Sequence, residues 1–313
     1  MSENTPLVSV GILCFNAQDT ILDAIESALD QTYINKEVIV LDDFSSDNSF
    51  NKISKSIYKD KIKLFRNKKN FGIGYSRNKI FELSQGDFIC FMDDDDISDK
   101  RRIEMQVNSI LNYGFNKNDN VLSICNIEKK YISGYKKYMK VFGINGRKPN
   151  PLEMKDFLLF NKKNKGVDYG FGCPTCAMLI SKKSLETVGG FDENLRRVED
   201  MDLTIRLADA QCNFIGSNIN LVKQFDTSGN DKLPINNLKS EIQIIKKHKR
   251  YLKEKRMYIY TRTWPYLRYY YFQKNYFLLL IFLIFLIFIK PNRTIKHFLK
   301  SALNRLKHDI KKA

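Results

Sequence analysis

The first third of the chain switches between two hydrophobic periods. Val8-Ser9-Val10-Gly11-Ile12-Leu13-Cys14-Phe15-Asn16 is an apolar run that ends in a polar loop. A run of this length, bounded by turn formers, reads as a buried strand. Over residues 19–31 the period changes, and Ile21, Ala24, Ile25, Ala28 and Leu29 fall on one helical face. Glu37 to Asp43 is a second strand ending in acids. Ser45-Ser46-Asp47-Asn48-Ser49 is a capping stretch for the next helix. Ile62–Phe65 is a short third strand. Asn70-Phe71-Gly72-Ile73-Gly74-Tyr75-Ser76-Arg77-Asn78 is a glycine-bearing loop that enters a helix through Leu83. Gly86-Asp87 turns the chain into Phe88-Ile89-Cys90-Phe91-Met92, and Lys100 to Asn112 has Ile103, Val107, Ile110 and Leu111 on one face.

Strands alternating with helices imply a parallel sheet with right-handed crossovers. Such sheets bind ligands at the C-terminal ends of their strands. Three of those ends carry the notable polar residues: Asn16, Asp42 with Asp43, and Asp93 with Asp95 and Asp96. Their convergence points to one site. Further strands are expected at Val121–Cys125 and Ala177–Ile180. Residues 128–170 are rich in Lys, Tyr and Asn, and read as a substrate-side insertion with a helix near Pro151–Phe160.

The fourth strand runs straight into Asp93-Asp94-Asp95-Asp96. Adjacent carboxylates repel, and a cation among them removes the repulsion. Oxygen ligands of this kind suit Mg²⁺ and Mn²⁺. Strand alternation would put Asp93 and Asp95 on one side, where they could bind one ion, with Asp96 facing elsewhere or opening the next turn. The competing reading is a solvated acidic loop with Asp96 or Ser98 as a helix N-cap. A second acidic group, Glu199, Asp200 and Asp202, opens a helix, where the dipole favours negative charge. Three acids exceed what a cap requires, so at least one is expected to do chemistry.

Charge is unevenly placed. Residues 239–313 hold 19 of the 52 Lys and Arg and 3 of the 35 Asp and Glu, a net of +16. The rest is nearly neutral, with 33 basic against 32 acidic residues. This describes a globular body with a basic anchor. Met1 to Pro6 has no basic stretch followed by a long apolar core, so no cleavable leader is expected. The cysteines lie mostly in apolar segments, which suits buried thiols in a reducing compartment. Cys173-Pro174-Thr175-Cys176 has neither a second CxxC nor a nearby histidine, which argues against zinc. The three histidines, His248, His297 and His308, all lie in the C-terminal part. Acid–base chemistry in the body must therefore use carboxylates.

Within the tail, Tyr276 to Ile289 is an unbroken apolar run between Lys274 and Lys290, preceded by Tyr269-Tyr270-Tyr271-Phe272. As a helix it reaches about 21 Å, against a hydrocarbon core of roughly 30 Å. Ile295 to Lys312 follows as a basic amphipathic helix of the kind that lies in the headgroup plane of anionic membranes. Its alternative is a hairpin packed on protein. The aromatic residues are fused into the apolar run rather than interleaved with the charges, so nucleic acid is not an expected partner.

Taken together in order and spacing, these motifs resemble the inverting glycosyltransferases of family 2, with the GT-A fold. The resemblance covers Leu7 to Ala208. It rests on Val8–Asn16, Leu41-Asp42-Asp43-Phe44-Ser45-Ser46-Asp47, Asn70–Asn78, Gly86-Asp87-Phe88-Ile89, Asp93-x-Asp95-Asp96, Gly189-Gly190-Phe191-Asp192 and Glu199-Asp200-x-Asp202-Leu203-x-x-Arg206. It implies an α/β, Rossmann-related, mostly parallel sheet flanked by helices, to which the composition of the chain adds a helical membrane-associating tail. Residues 1–112 would form the nucleotide-sugar half, 113–238 the acceptor-binding and catalytic half, and 239–313 the tail. It further implies a UDP-sugar donor with Mn²⁺ or Mg²⁺. Asp43 would bind the uracil, Arg77 would contact the nucleotide, and Asn16 would belong to the same donor site. Asp93 and Asp95, with Asp96, would hold the ribose and the metal, and Asp200 would be the general base. No QxxRRW motif follows residue 208, which implies single transfers. Bacterial enzymes of this kind extend O-antigen or capsule repeat units on undecaprenyl diphosphate. By that analogy the acceptor would be a lipid-linked GlcNAc or GalNAc at the cytoplasmic face of the inner membrane, and the donor UDP-Glc or UDP-Gal. The alternatives are a polyprenyl-phosphate sugar synthase and a non-catalytic membrane- or polyanion-binding protein.

Overall fold

In the computed structural model, which describes residues 5–225 and 233–312, β1 (Val8–Cys14), β2 (Lys36–Asp42), β3 (Lys63–Arg66) and β4 (Phe88–Asp93) are parallel in the order β3-β2-β1-β4. Their connections are α1 (Ile21–Leu29), α2 (Ser49–Ser54) and α3 (Ile73–Leu83). Alternate residues of β4 go to opposite faces, as strand geometry requires. Ile89 and Phe91 pack with Ile80 of α3. Phe88, Cys90 and Met92 join Val8, Val10 and Ile12 of β1 beneath Ile21 and Ile25 of α1. Both faces are therefore covered, which is why these strands read as continuous apolar runs.

The acidic run behaves differently from a strand extension. β4 stops at Asp93, Asp94 and Asp95 form a turn, and Asp96–Ser98 is a short strand, β5. The expected alternation that placed Asp93 beside Asp95 ends with the strand. Neither Asp96 nor Ser98 caps a helix. The next one, α4 (Arg102–Asn112), starts after Asp99, whose carboxylate accepts the Arg101 N–H at 3.0 Å.

Beyond α4 the sheet becomes mixed. β6 (Val121–Lys130) carries β7 (Lys136–Met139) as a hairpin, followed by α5 (Pro151–Phe160). Asn150 and Glu153 close a reciprocal capping box on α5. β8 (Met178–Ser181) inserts antiparallel between β4 and β6. After α6 (Lys182–Val188) and α7 (Glu199–Asp209), β9 (Asn213–Phe225) runs parallel to β6 and antiparallel to β5. The full order is β3-β2-β1-β4-β8-β6-β9-β5. The sequence did not single out β9, because its register with β6 is broken at Asn126 and its second half alternates with Asn and Lys.

One compact unit holds residues up to Lys130, Lys136–Asn194, and Glu199 through β9. A second holds Tyr131–Tyr135, Leu195–Val198 and the C-terminal helices. These are α8 (Pro234–Lys247), α9 (Lys249–Glu254), α10 (Tyr258–Phe272), α11 (Tyr276–Ile289) and α12 (Pro291–Lys312). The bounds of α11 are those of the apolar run, and α12 starts four residues earlier than its amphipathic pattern. Among the described residues no helix is long and apolar enough to cross a membrane.

Candidate active site

The loops after β1, β2 and β4 are tied together. The Phe15 N–H donates to Asp94 at 2.8 Å. The Asn16 N–H donates to Ser45 Oγ at 2.9 Å, and its side-chain oxygen accepts from the Ser46 N–H at 2.8 Å. Asn16 and Phe44 both hold positive φ, +52° and +63°, a conformation in which Asn is favoured and Phe is strained. The three strand ends singled out in the sequence therefore converge, and Asn16 serves as the clasp between two of them.

Asp42 and Asp43 are both buried. Asp42 pairs with Arg66 at 3.0 Å. Asp43 accepts from Asn67 Nδ2 at 2.7 Å and from the N–H groups of Phe71 and Gly72 at 3.0 and 2.9 Å. Gly72 has a φ of +95°, which glycine adopts without strain. Asp43 thus fixes the glycine-bearing loop, on which Phe71 and Tyr75 stack at 4.2 Å.

Arg77 occupies the centre of the site. It is 3% exposed. Its Nη2 donates to Asp93 at 2.9 Å, and its Nη1 donates to Thr175 Oγ1 at 3.1 Å and to Glu199. Burial alone would lower its pKa, but the charges of Glu199, Asp93 and Asp200 carry it above its ordinary value. The resemblance puts Arg77 in contact with the nucleotide. Here it joins the end of β4 to the start of α7 and positions Asp93. The Phe191 ring lies 5.6 Å from its guanidinium. Phe191 is held in turn by Asn78, which accepts from its N–H at 2.7 Å and donates to its carbonyl at 3.0 Å. Gly190 has a φ of +70°, and a Cβ there would strike Asn78. The two glycine motifs of the sequence are therefore one packing device beneath Arg77.

Asp93, Asp96 and Cys176 bring their ligand atoms within 4.8 Å of one another. Asp96 is 2% exposed, and neither carboxylate oxygen meets an N–H or O–H donor. Burial, then the charges of Asp93 and Asp95, push its pKa up to about 8 against the pull of the Cys176 thiol and the Arg102 cation. Asp94 is likewise pushed up to about 8, first by burial. Buried oxygens of this kind beside a second carboxylate fit a divalent cation. Asp93 and Asp96 are the pair brought together, and Asp95 lies in the intervening turn.

Two contributors were not assigned to this site from the sequence. Cys176 was weighed only as half of a CxxC whose surroundings argue against zinc. Arg102 is 1% exposed and donates to Ser98 Oγ, Gln106, and the carbonyls of Phe91 and Met178 at 3.0–3.1 Å. Its signal was the i, i+4 pair Arg102 and Gln106, which falls beside the apolar stripe of α4 rather than opposite it.

The three acids of α7 separate by role. Glu199 is buried against Arg77. Asp202 is fully buried and accepts from Arg206 Nε at 2.7 Å, while Arg206 Nη1 caps α6 at the Val188 carbonyl. Asp200 alone keeps partial exposure. Its Oδ1 accepts the Met201 N–H at 2.7 Å, and Thr204 Oγ1 donates to its carbonyl at 2.8 Å. The six cysteines are free and buried.

A sheet of this topology with acids at its parallel strand ends defines a GT-A-type glycosyltransferase fold. The chain belongs to glycosyl transferase family 2, whose profile it matches over residues 9–189. It is 31% identical over 209 residues to an uncharacterized glycosyltransferase of Rickettsia felis, covering 64% of this chain and 31% of that protein. It is 40% identical over 105 residues to the Escherichia coli UDP-Glc:alpha-D-GlcNAc-diphosphoundecaprenol beta-1,3-glucosyltransferase WfgD, covering 34% of this chain and 41% of that one. The chain spans about a quarter to three fifths of the length of the curated relatives it matches. S. aureus TarS 1-349 in complex with UDP-GlcNAc superposes with a TM-score of 0.59 at 19% identity, covering 76% of this chain and 65% of that one. That likeness is one of fold.

Proposed function

We propose that the protein transfers a hexose, Glc or Gal, from a UDP-sugar to a hydroxyl of a GlcNAc or GalNAc linked to undecaprenyl diphosphate, with inversion to a β-linkage. The observation that carries this reading is the Arg77 bridge, which brings the carboxylate group of β4 and the acid-bearing start of α7 into one site. The names of WfgD and WfaP, both UDP-Glc:alpha-D-GlcNAc-diphosphoundecaprenol beta-1,3-glucosyltransferases, support the donor and acceptor classes. The acceptor class sets the reaction at the cytoplasmic face of a bacterial inner membrane, in O-antigen or capsule synthesis.

In this reading the loop shaped by Asp43 and Asn16 receives the uridine. Asp93 and Asp96, with Asp95 in the turn and the Cys176 thiol beside them, would hold Mn²⁺ or Mg²⁺ through carboxylate oxygens. When bound, the ion supplies charge neutralisation for the departing diphosphate. Asp200 takes the proton of the acceptor hydroxyl. The acceptor oxygen bonds to the anomeric carbon as the bond to the β-phosphate oxygen breaks, and UDP leaves with that electron pair. A hydroxyl is a poor nucleophile without a positioned base, which contributes roughly 10²–10⁴-fold.

The test is a transfer assay with a panel of UDP-sugars and a synthetic GlcNAc-diphosphate lipid, with Mn²⁺ or with EDTA. The expected result is transfer from one donor, lost in EDTA. UDP binding without transfer would discard the acceptor. Full activity of Asp200→Asn toward a polyprenyl phosphate would identify a polyprenyl-phosphate sugar synthase. No UDP binding would leave a non-catalytic membrane-binding protein.

A further inference from the structure

The C-terminal helices build an internal packing face and leave two apolar stripes uncovered. In α11 the packed side runs through Phe282 and Leu286. Phe282 stacks on Tyr266 and Tyr270, each with ring centroids 5.4 Å apart. Leu286 is fully buried, and its carbonyl accepts from Thr294 Oγ1 at 2.8 Å. The opposite side presents Phe277, Leu280, Ile281, Ile284, Phe285 and Phe288, from 46% to 88% exposed. These positions recur at helical spacing, so they form one continuous stripe.

α12 repeats the arrangement. Thr294 is buried, and His297 stacks on Trp264 at 3.6 Å and meets Tyr260 Oη at 3.1 Å. The apolar positions Ile295, Leu299, Leu303 and Ile310 are 46–68% exposed. At 100° per residue, Lys296 and Lys300 border one edge of that stripe and Arg305 the other. An amphipathic helix that packed on protein through this stripe would bury these four positions, and they stay exposed. Monomers in water rarely keep apolar stripes of this extent uncovered.

We infer that the α11 and α12 stripes are a docking surface for an anionic lipid bilayer, entered from one side. The tail's net charge of +16 selects an anionic surface. Basic residues at the shoulders of an apolar stripe are the arrangement of a helix lying in the headgroup plane. The 14 residues of α11 reach about 21 Å, short of a roughly 30 Å hydrocarbon core. Both helices therefore stay in one leaflet, and the C-terminus stays on the side of entry. The inference stands apart from the sugar-transfer reading, since it uses none of the site residues.

The full-length protein, carrying a C-terminal tag, is floated with phosphatidylglycerol-containing vesicles and with pure phosphatidylcholine vesicles. It should float with the first and much less with the second, and high salt should release part of it. Phe277→Asp, Ile284→Asp and Phe288→Asp together should cut the partition coefficient by at least about a hundredfold. Leu299→Asp with Leu303→Asp should cut it about tenfold or more. Circular dichroism and UDP binding should be unchanged in both variants, which separates lost docking from lost folding. The tag should stay fully accessible to protease on intact vesicles. Three results would each overturn the inference: wild type that does not float, variants that float equally well, or a tag protected in the lumen. A stable dimer in lipid-free buffer that the same substitutions dissociate would give the face to a second copy instead.

Discussion

The parallel half of the sheet and the C-terminal helices both consist largely of apolar sequence, and they use it in opposite ways. In β1, β2 and β4 every apolar side chain from Val8 to Ile12, Val38 to Leu41 and Phe88 to Met92 is buried or nearly so. Apart from Ser9, buried near the start of β1, polar groups appear where the strands end, and there they are tied to one another. In α11 about half of an equally apolar run stays exposed. Burial fixes a site to within the length of a hydrogen bond. Exposure makes a surface whose partner lies outside the molecule. Continuous hydrophobicity alone does not distinguish the two; what does is whether flanking elements supply a second apolar face.

The largest expected effect falls at the ion pair that joins the strand ends to α7. Arg77→Met should lower stability by about 3–5 kcal/mol, because it strands Glu199 as a buried uncompensated charge. Adding Glu199→Gln should recover much of the loss, and thermal unfolding of the two variants measures the difference. In the tail, Leu286→Ala should cost about 2–5 kcal/mol within its own unit, since that side chain is fully buried. A saturating divalent cation, at about 100 times its Kd, should stabilise the wild type by about 2.7 kcal/mol. A thermal-shift titration with Mn²⁺ should show that gain nearly absent in Asp96→Asn.

Smaller effects test parts remote from the site. Arg147 holds Glu153 down to about 2. Its contribution is therefore full above its unfolded value of about 4.3, and is lost as pH falls toward 2. Glu153→Gln should cost no more than about 1 kcal/mol at pH 7 through the loss of its charge opposite Arg147, since glutamine still closes the α5 capping box. It should cost little near pH 2, as urea unfolding at the two pH values would show. The smallest effect sharpens the contrast between regions. Phe288→Ala, at a side chain 88% exposed, should change stability in lipid-free buffer by no more than about 0.5 kcal/mol, although Leu286 lies only two residues away.

The parallel half was legible in the sequence because each strand and helix shows its own period. The convergence of Asn16, Asp42, Asp43 and Asp93 followed from topology, since C-terminal strand ends share one edge. The turn at Asp94 and Asp95 was not legible. It depends on β9 pairing with β5, a contact across more than a hundred residues of chain. The separation of Glu199, Asp200 and Asp202 was hidden in part for the same reason. Asp202 meets Arg206 four residues on within α7 itself, whereas Glu199 takes its role from Arg77 on α3, a partner that spacing along α7 does not reveal. Cys176 is similar: its place beside Asp96 follows from β8 inserting next to β4, a reversal of direction that an apolar run of four residues cannot announce.

The most direct test substitutes these three acids in parallel, as Glu199→Gln, Asp200→Asn and Asp202→Asn, and measures sugar transfer, UDP binding and unfolding for each. The account predicts that Asp200→Asn keeps its stability and UDP affinity while transfer falls by roughly 10²–10⁴-fold. Glu199→Gln and Asp202→Asn should lose stability. Wild-type transfer by Asp200→Asn, or abolished transfer by a fully stable Glu199→Gln, would contradict it.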